Sequence, residues 1–190
     1  IKGVVVPMIT PIDKDELIDE AAIRSQVDYV IDGGVSGILL FGSNGEFYVV
    51  EEDEMERGLK IVVDQAAGRV PVYFGIGAIS TKKCIRLAKM AVANGAASVS
   101  VLQPMFLKPT ETELFTHFKA IADAIPETPV LLYNNPGRVG YTLSANLVDR
   151  LAHEVPNIVG MKDTSGDITQ TSEFIRRNRD VDFKVFGGKD

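Results

Sequence analysis

The sequence has no tryptophan, one cysteine and two histidines among its 190 residues. The lone Cys84 excludes an internal disulfide and a cysteine-based zinc site, since each needs more than one thiol. Neither His117 nor His153 belongs to an HExxH motif, so both are assigned to packing or to the surface. We therefore predict no metal site and no cofactor. Cys84 lies in an amphipathic pattern and is expected in the core.

Basic residues are also few: 20 lysines and arginines stand against 26 aspartates and glutamates, a net charge of −6. Nucleic-acid binding relies on clustered basic residues, and the one dense group, Arg176, Arg177 and Arg179, is typical of a solvated helix end. No apolar run approaches the roughly 18 residues of a membrane-spanning helix. Residues 1–7 lack the order of a signal peptide. We expect a cytoplasmic protein that binds a small molecule, and neither nucleic acid nor a membrane.

Seven short apolar runs predict β-strands. They begin at residues 4, 37, 72, 98, 130, 158 and 183, separated by about the 30 residues of a βαβ unit. Amphipathic helix patterns fill the intervals, with Ser144 and Asp167 as predicted N-caps. Their apolar faces include Ile23 and Val27, Met55 and Leu59, Leu114 and Phe118, Leu147 and Leu151, and Ile168, Phe174 and Ile175. Almost continuously apolar strands indicate a parallel α/β sheet that is covered on both faces.

Two architectures fit this alternation. A doubly wound nucleotide-binding sheet needs a glycine-rich turn after the first strand, but Val6 is followed by Pro7-Met8-Ile9-Thr10-Pro11. A (β/α)8 barrel instead predicts polar residues at the carboxyl ends of several strands, and this sequence has them. We predict an α/β fold of the TIM (β/α)8 barrel type, formed by residues 1–190 as a single domain.

Polar residues follow the second and fifth strands. Two glycines around Ser43 and Asn44 allow a tight turn whose backbone N–H groups and hydroxyl converge on an anion. Tyr133 ends the fifth strand, and Arg138 follows a Pro-Gly turn, where its guanidinium could bind a carboxylate. An ordinary turn, a core tyrosine and a surface arginine fit the same residues.

The sixth strand ends in Lys162. By alternation Ile158, Gly160 and Lys162 share one face, and Gly160 is expected to leave room beneath the lysine side chain. An amine at the mouth of an apolar barrel loses solvation, which leaves more of it neutral and nucleophilic. An isolated lysine at a strand end more often extends its ammonium to solvent. The coincidence of an anion turn, a tyrosine and a lysine at three strand ends favours a site for carbonyl chemistry.

Taken together, these residues resemble the dihydrodipicolinate synthase and N-acetylneuraminate lyase family of class I, Schiff-base-forming aldolases. The resemblance rests on four motifs in order: Gly3-x-x-x-Pro7-x-x-Thr10-Pro11, Gly42–Glu46, Tyr133-Asn134-x-Pro136 and Gly160-x-Lys162-Asp163. It implies that Lys162 forms an imine with pyruvate or another 2-keto acid and that Tyr133 carries protons. It further implies that Ser43, Asn44 and the backbone of Gly45 bind the 2-keto carboxylate. A homotetramer or homodimer is also implied.

Departures from the family pattern leave the subfamily open. Arg138 matches the arginine that synthases use for the carboxylate of aspartate semialdehyde, which favours a 4-hydroxy-tetrahydrodipicolinate synthase-like activity. Phe106 stands where typical synthases carry a tyrosine of an inter-subunit proton relay, and Asn44 replaces a hydroxyl residue. A 2-keto-3-deoxy sugar acid aldolase or dehydratase is the second alternative, and an N-acetylneuraminate lyase-like enzyme is the third.

Two further hypotheses belong to other classes. The missing hydroxyl at Phe106 is also compatible with a non-catalytic barrel that binds a 2-keto acid. Gly187 and Gly188, after the seventh strand, could instead bind a phosphate group. A TIM barrel typically takes about 250 residues, and only four residues follow Phe186. We therefore expect the eighth strand to be missing and the domain to be incomplete at its C-terminus.

Overall fold

The computed structural model describes residues 1–189, in which seven strands alternate with helices. The strands are β1 (Val5–Pro7), β2 (Gly37–Leu40), β3 (Val72–Ile76), β4 (Ser98–Leu102), β5 (Val130–Asn134), β6 (Ile158–Asp163) and β7 (Lys184–Gly187). The helices are α1 (Glu20–Asp32), α2 (Glu52–Ala66), α3 (Thr81–Ala93), α4 (Glu111–Asp123), α5 (Pro136–Val139), α6 (Ala145–Glu154) and α7 (Ile168–Arg177). Strand order in the sheet follows the chain.

The predicted strands and helix starts are confirmed, with small shifts at the ends. The pairs β1–β2, β2–β3, β5–β6 and β6–β7 are all parallel, as the apolar strands predicted. Ser144 caps α6 by accepting a hydrogen bond from the Leu147 N–H at 3.1 Å. Asp167 caps α7 through the N–H groups of Thr169 and Gln170. β6 continues as far as Asp163, so Lys162 lies within the strand.

The chain divides into two compact units, and the prediction of a single domain stays a prediction. The N-terminal unit comprises residues 1–76 and 89–99, and the C-terminal unit comprises residues 77–88 and the chain from Ser100 onward. In the N-terminal unit α1 and α2 contribute fully buried side chains, among them Ile23, Val27 and Leu59. Within the described residues, no helix is long and apolar enough to cross a membrane.

In the C-terminal unit the predicted apolar faces of α4 and α6 are buried, but only part of the predicted face of α7 is. Phe174 is fully buried, whereas Ile168 is 76% exposed and Ile175 is 54% exposed. Since successive helical residues are rotated by about 100°, neither isoleucine lies on the face that carries Phe174. The expectation of a shared apolar face was wrong for these two residues.

Cys84 and the two histidines take the packing and surface positions that the sequence predicted. Cys84 is fully buried, and its burial raises the pKa of the thiol to about 12. His117 is 6% exposed, its Nδ1 lies 2.8 Å from the Thr81 hydroxyl, and its ring meets that of Phe118 edge-on. His153 is exposed and hydrogen-bonds the backbone carbonyl of its own helix at Asp149.

One amide in the C-terminal unit joins the end of α4 to the start of β6. The Asn157 Nδ2 lies 3.0 to 3.1 Å from the carbonyl oxygens of Ala122, Ile125 and Thr128. We expect Asn157→Ala to lower the free energy of unfolding by about 1–3 kcal/mol, because partly buried carbonyls lose their donor. Urea unfolding monitored by circular dichroism measures the change.

Asn94→Ala is the matched control for this prediction. Asn94 makes one close bond of the same kind, to the Met90 carbonyl oxygen at 2.8 Å. A smaller loss is expected there, about 1 kcal/mol. Equal losses for the two variants would contradict the assigned role of Asn157.

A second prediction concerns pH and His117. Burial lowers the pKa of this histidine from 6.5 to about 4 in the folded chain. The unfolded chain therefore binds a proton as the pH falls below 6.5, while the folded chain does not, and stability is lost between about pH 6.5 and pH 4. We expect His117→Gln to lose less stability than the parent between pH 7 and pH 5, measured by urea unfolding at both values. Parallel losses in both proteins would contradict the prediction.

Candidate functional site

Parallel pairing of β5 with β6 brings the two predicted catalytic side chains together. In this register Tyr133 lies beside Lys162, and Asn134 lies beside Asp163. Side chains paired in this way leave the sheet on the same face. The Lys162 Nζ lies 4.8 Å from the centroid of the Tyr133 ring. Tyr133 is 4% exposed and Lys162 is half-buried, so the amine lies at the edge of a buried surface.

The glycine against the Lys162 stem is Gly188. A Cβ at Gly188 would lie 2.5 Å from the lysine Cε and 3.1 Å from its Cγ, so a larger residue there would push the lysine side chain aside. A Cβ at Gly160 would instead collide with the backbone carbonyl oxygen of Lys184 in β7. The expectation that Gly160 makes room for the lysine was wrong, because the neighbouring strand takes that space.

Thr164 has a buried hydroxyl beside the same lysine. A Cβ at Gly188 would collide with this Oγ1 as well as with the Lys162 stem, so the hydroxyl and the stem border one position. Among the described residues the Thr164 Oγ1 has no hydrogen-bond partner. A buried polar atom without a partner costs about 1–3 kcal/mol. A bound group that hydrogen-bonds to this hydroxyl would recover that energy.

Asp163 fixes the strand end that carries the lysine. Its carboxylate is 4% exposed and accepts a bond from the Asn134 Nδ2 at 2.9 Å in β5. It also accepts from the Ser165 N–H at 3.1 Å, the Ser165 hydroxyl at 3.0 Å and the Thr171 hydroxyl at 2.5 Å. These donors belong to β5, the loop after β6 and α7, so one carboxylate holds three segments around Lys162.

Gln103 and Asn134 extend this network through the interior. Both are fully buried. The Gln103 Nε2 donates to the Asn134 Oδ1 at 3.2 Å and to the Tyr141 carbonyl oxygen at 2.8 Å. The Gln103 Oε1 accepts a bond from the Asn135 N–H at 3.0 Å. Because buried amides are satisfied on both sides, the backbone that follows Tyr133 is held in one position.

The network reaches the tyrosine hydroxyl through Asn135. The Asn135 Nδ2 donates to the Tyr133 Oη at 2.8 Å, and Asn135 is 6% exposed. Asn135 is also the N-cap residue of α5, but its side chain makes no capping hydrogen bond. The sequence singled out Tyr133 and missed Gln103 and Asn135. These residues could have been found from their positions, because Gln103 directly follows apolar β4 and Asn135 directly follows β5.

In the N-terminal unit, Thr10, which follows β1, hydrogen-bonds to the turn that contains Ser43, Asn44 and Gly45. The Thr10 hydroxyl donates to the Gly45 carbonyl oxygen at 2.7 Å, which links two of the sequence motifs. A Cβ at Gly45 would lie 3.0 Å from the Met8 carbonyl oxygen, so this position requires glycine. Ser43 is half-buried and Asn44 is exposed.

The backbone of this turn offers fewer anion donors than the glycines suggested. The Gly45 N–H donates to the Gly42 carbonyl oxygen at 3.1 Å, and the Glu46 N–H donates to the Ser43 carbonyl oxygen at 3.4 Å. Those two donors close the turn itself. An anion at this turn would rely on the polar side chains and on the earlier part of the turn.

Arg138 and Phe106 are both exposed in the C-terminal unit. Arg138 lies in α5, and its predicted contact with a carboxylate stays a prediction. Phe106 is 91% exposed and has a φ of 82°, a conformation that bulky residues rarely adopt. Within residues 1–189, no group of three or more His, Cys, Asp and Glu side chains is placed to hold a metal ion.

Comparison with known proteins gives consistent relatives. A 4-hydroxy-tetrahydrodipicolinate synthase from Dechloromonas aromatica is 40% identical over 190 residues, which are 100% of this chain and 64% of the relative. The crystal structure of a dihydrodipicolinate synthase from Bacillus anthracis is 37% identical with a TM-score of 0.94, over 99% of this chain and 64% of that chain. A third match is the crystal structure of YagE, a prophage protein of the dihydrodipicolinic acid synthase family from E. coli K12, in complex with pyruvate. It is 31% identical with a TM-score of 0.94, over 98% of this chain and 63% of that chain.

These solved structures are TIM barrels, and the match confirms the predicted fold class, of which residues 1–189 form seven strands. The chain spans 59 to 65% of the length of eight curated relatives that it matches. The model of the dihydrodipicolinate synthetase family matches residues 1–190. This chain therefore belongs to the dihydrodipicolinate synthetase family.

Proposed function

We propose that the protein is a class I, Schiff-base-forming lyase that joins pyruvate to an aldehyde or cleaves the product, with 4-hydroxy-tetrahydrodipicolinate synthase activity as the leading candidate. The observation that carries the proposal is the Lys162 amine next to the buried Tyr133. Relatives at 37 to 40% identity carry the synthase name, and a solved relative is described with pyruvate bound.

In the proposed reaction, the neutral Lys162 amine attacks the keto carbon of pyruvate, and the resulting carbinolamine gains a proton and loses water to give an iminium ion. The positive nitrogen then withdraws electrons, so the adjacent methyl carbon loses a proton and becomes an enamine. The enamine carbon attacks the aldehyde carbon, the aldehyde oxygen gains a proton, and water releases the product from the lysine. Tyr133 is proposed to carry the protons between these steps.

The remaining roles come from the family resemblance and stay proposals. Ser43 and Asn44 would bind the carboxylate of the 2-keto acid on the turn that Gly45 closes, and Arg138 would bind the carboxylate of the aldehyde partner. We also propose a cytoplasmic homodimer or homotetramer that needs no cofactor. A second candidate function is a 2-keto-3-deoxy sugar acid aldolase or dehydratase. The buried Thr164 hydroxyl favours it, because a sugar hydroxyl would supply the missing hydrogen-bond partner.

Trapping the imine tests the proposed chemistry directly. Incubation with pyruvate and borohydride is expected to reduce the imine and leave one covalent adduct on Lys162. Peptide mass spectrometry locates it. Lys162→Arg keeps a cation at this position but cannot form the adduct, so it serves as the control. A folded parent protein without an adduct would contradict the Schiff-base mechanism.

The partner is then identified by turnover. Aspartate semialdehyde, glyceraldehyde and N-acetylmannosamine are each supplied with pyruvate, and consumption of pyruvate is followed. Turnover with aspartate semialdehyde supports the synthase, and turnover with glyceraldehyde alone supports the sugar acid enzyme. Turnover with N-acetylmannosamine alone supports the lyase-like alternative. An adduct without turnover of any partner would support the non-catalytic binding barrel.

Two adjacent glycines give a matched test of how the lysine is placed. Gly188→Ala puts a methyl group against the Lys162 stem, whereas a Cβ at Gly187 has no heavy atom within 4 Å. We expect Gly188→Ala to slow imine trapping by about 10- to 100-fold, because small displacements of a reacting group have effects of this size. Gly187→Ala should trap at the parental rate. Equal trapping rates in the two variants would contradict the role of Gly188.

A further inference from the structure

We infer that Asn135 is a positioning residue for Tyr133: its amide holds the phenol oxygen so that the proton moves along a fixed direction. This inference rests on the proposed function, since it concerns the proton that Tyr133 transfers. It starts from the 2.8 Å bond between the Asn135 Nδ2 and the Tyr133 Oη. Both side chains are more than nine-tenths buried.

The backbone of Asn135 is itself fixed through Gln103. The Asn135 backbone N–H donates to the Gln103 Oε1 at 3.0 Å, and Gln103 is anchored to Asn134 and to the Tyr141 carbonyl oxygen. Asn134 in turn bonds to Asp163, the residue after Lys162. A continuous chain of hydrogen bonds therefore runs from the lysine strand to the tyrosine hydroxyl. Movement of either group would strain bonds that are buried and satisfied.

The side chain of Asn135 makes this contact in place of its usual local one. Asparagine at a helix N-cap normally accepts a bond from the N–H of the second or third helical residue. At α5 that bond is missing, and the amide donates to the phenol oxygen instead. The contact is therefore more than a by-product of starting the helix.

A donor on the phenol oxygen has two chemical consequences. The phenol has a single O–H, so its proton must leave in a direction other than that of the Asn135 amide. The Lys162 Nζ lies over the ring of the same tyrosine, 4.8 Å from its centroid. Once the proton has left, the negative oxygen still has a donor, and a buried charge without one is costly. An amide cannot lose its proton near neutral pH, so it orients the oxygen without exchanging protons with it.

This arrangement supplies a fixed partner to Tyr133 from its own chain. Phe106 has no hydroxyl and is 91% exposed, so this residue cannot supply a proton-carrying group. Asn135 instead holds the phenol oxygen within the C-terminal unit. We therefore expect proton transfer to depend on Asn135 and to be insensitive to a hydroxyl added by Phe106→Tyr.

A double-mutant cycle tests the inference. Asn135→Val removes the donor at similar size, and we expect kcat to fall by about 10- to 100-fold while KM for pyruvate changes less than about threefold. In a Tyr133→Phe background, Asn135→Val should have little further effect. Asn146→Val, which removes an exposed amide in α6, is the control and should behave as the parent.

A second variant guards against misfolding. Asn135→Ser suits an N-cap but is too short to reach the phenol, and the same loss of kcat is expected with a melting temperature near that of the parent. Parental kcat in Asn135→Ser or in folded Asn135→Val would overturn the inference. So would an equal loss in the presence and absence of the Tyr133 hydroxyl. Failure of the parent to form the Lys162 adduct would be distinct from these results, because it would reject the proposed function itself.

Discussion

The buried carboxylate of Asp163 is the constraint on which the arrangement around Lys162 depends. A carboxylate that is 4% exposed requires donors, and here they come from β5, the loop after β6 and α7. Satisfying that single group fixes the neighbouring strand and the following helix relative to the lysine. The same contact with Asn134 begins the network that ends at Tyr133.

The polar groups near the lysine fall into two kinds. Gln103 and Asn134 are buried and bonded on both sides, so they hold the backbone. The Thr164 hydroxyl is buried and has no partner within residues 1–189. Since native interiors rarely leave such atoms unpaired, this difference separates groups that support the fold from a group suited to contact a ligand. Burial alone would not have distinguished them.

The sequence predicted whatever depends on local pattern. Alternation and helical periodicity located the strands, Ser144 and Asp167 gave correct helix caps, and parallel strands implied that Tyr133 and Lys162 would be close. Contacts that depend on the register between strands far apart in the chain could not be predicted from local sequence pattern. Gly188, rather than Gly160, borders the lysine stem because of how β7 lies against β6.

The same limit applies to the turn and to the last helix. Two glycines suggested free backbone donors after β2, but the Gly45 N–H closes the turn on itself. Ile168 and Ile175 matched an apolar pattern in α7, but Phe174 is the residue of this helix that is buried, and both isoleucines are exposed. The bond from Asn135 to Tyr133 was equally unpredictable, since an asparagine before Pro136 is also a good helix cap.

Two functions compete for the side chain of Asn135: capping α5 and donating a hydrogen bond to Tyr133. A residue chosen for thermal stability alone would turn towards the N–H groups of α5, as Ser144 does for α6. The side chain of Asn135 makes no capping bond to its own helix and gives its donor to a phenol. Substitutions at this position are therefore expected to trade robustness against turnover. A search for stabilised variants would therefore select substitutions of Asn135 that slow the proposed proton transfer by Tyr133.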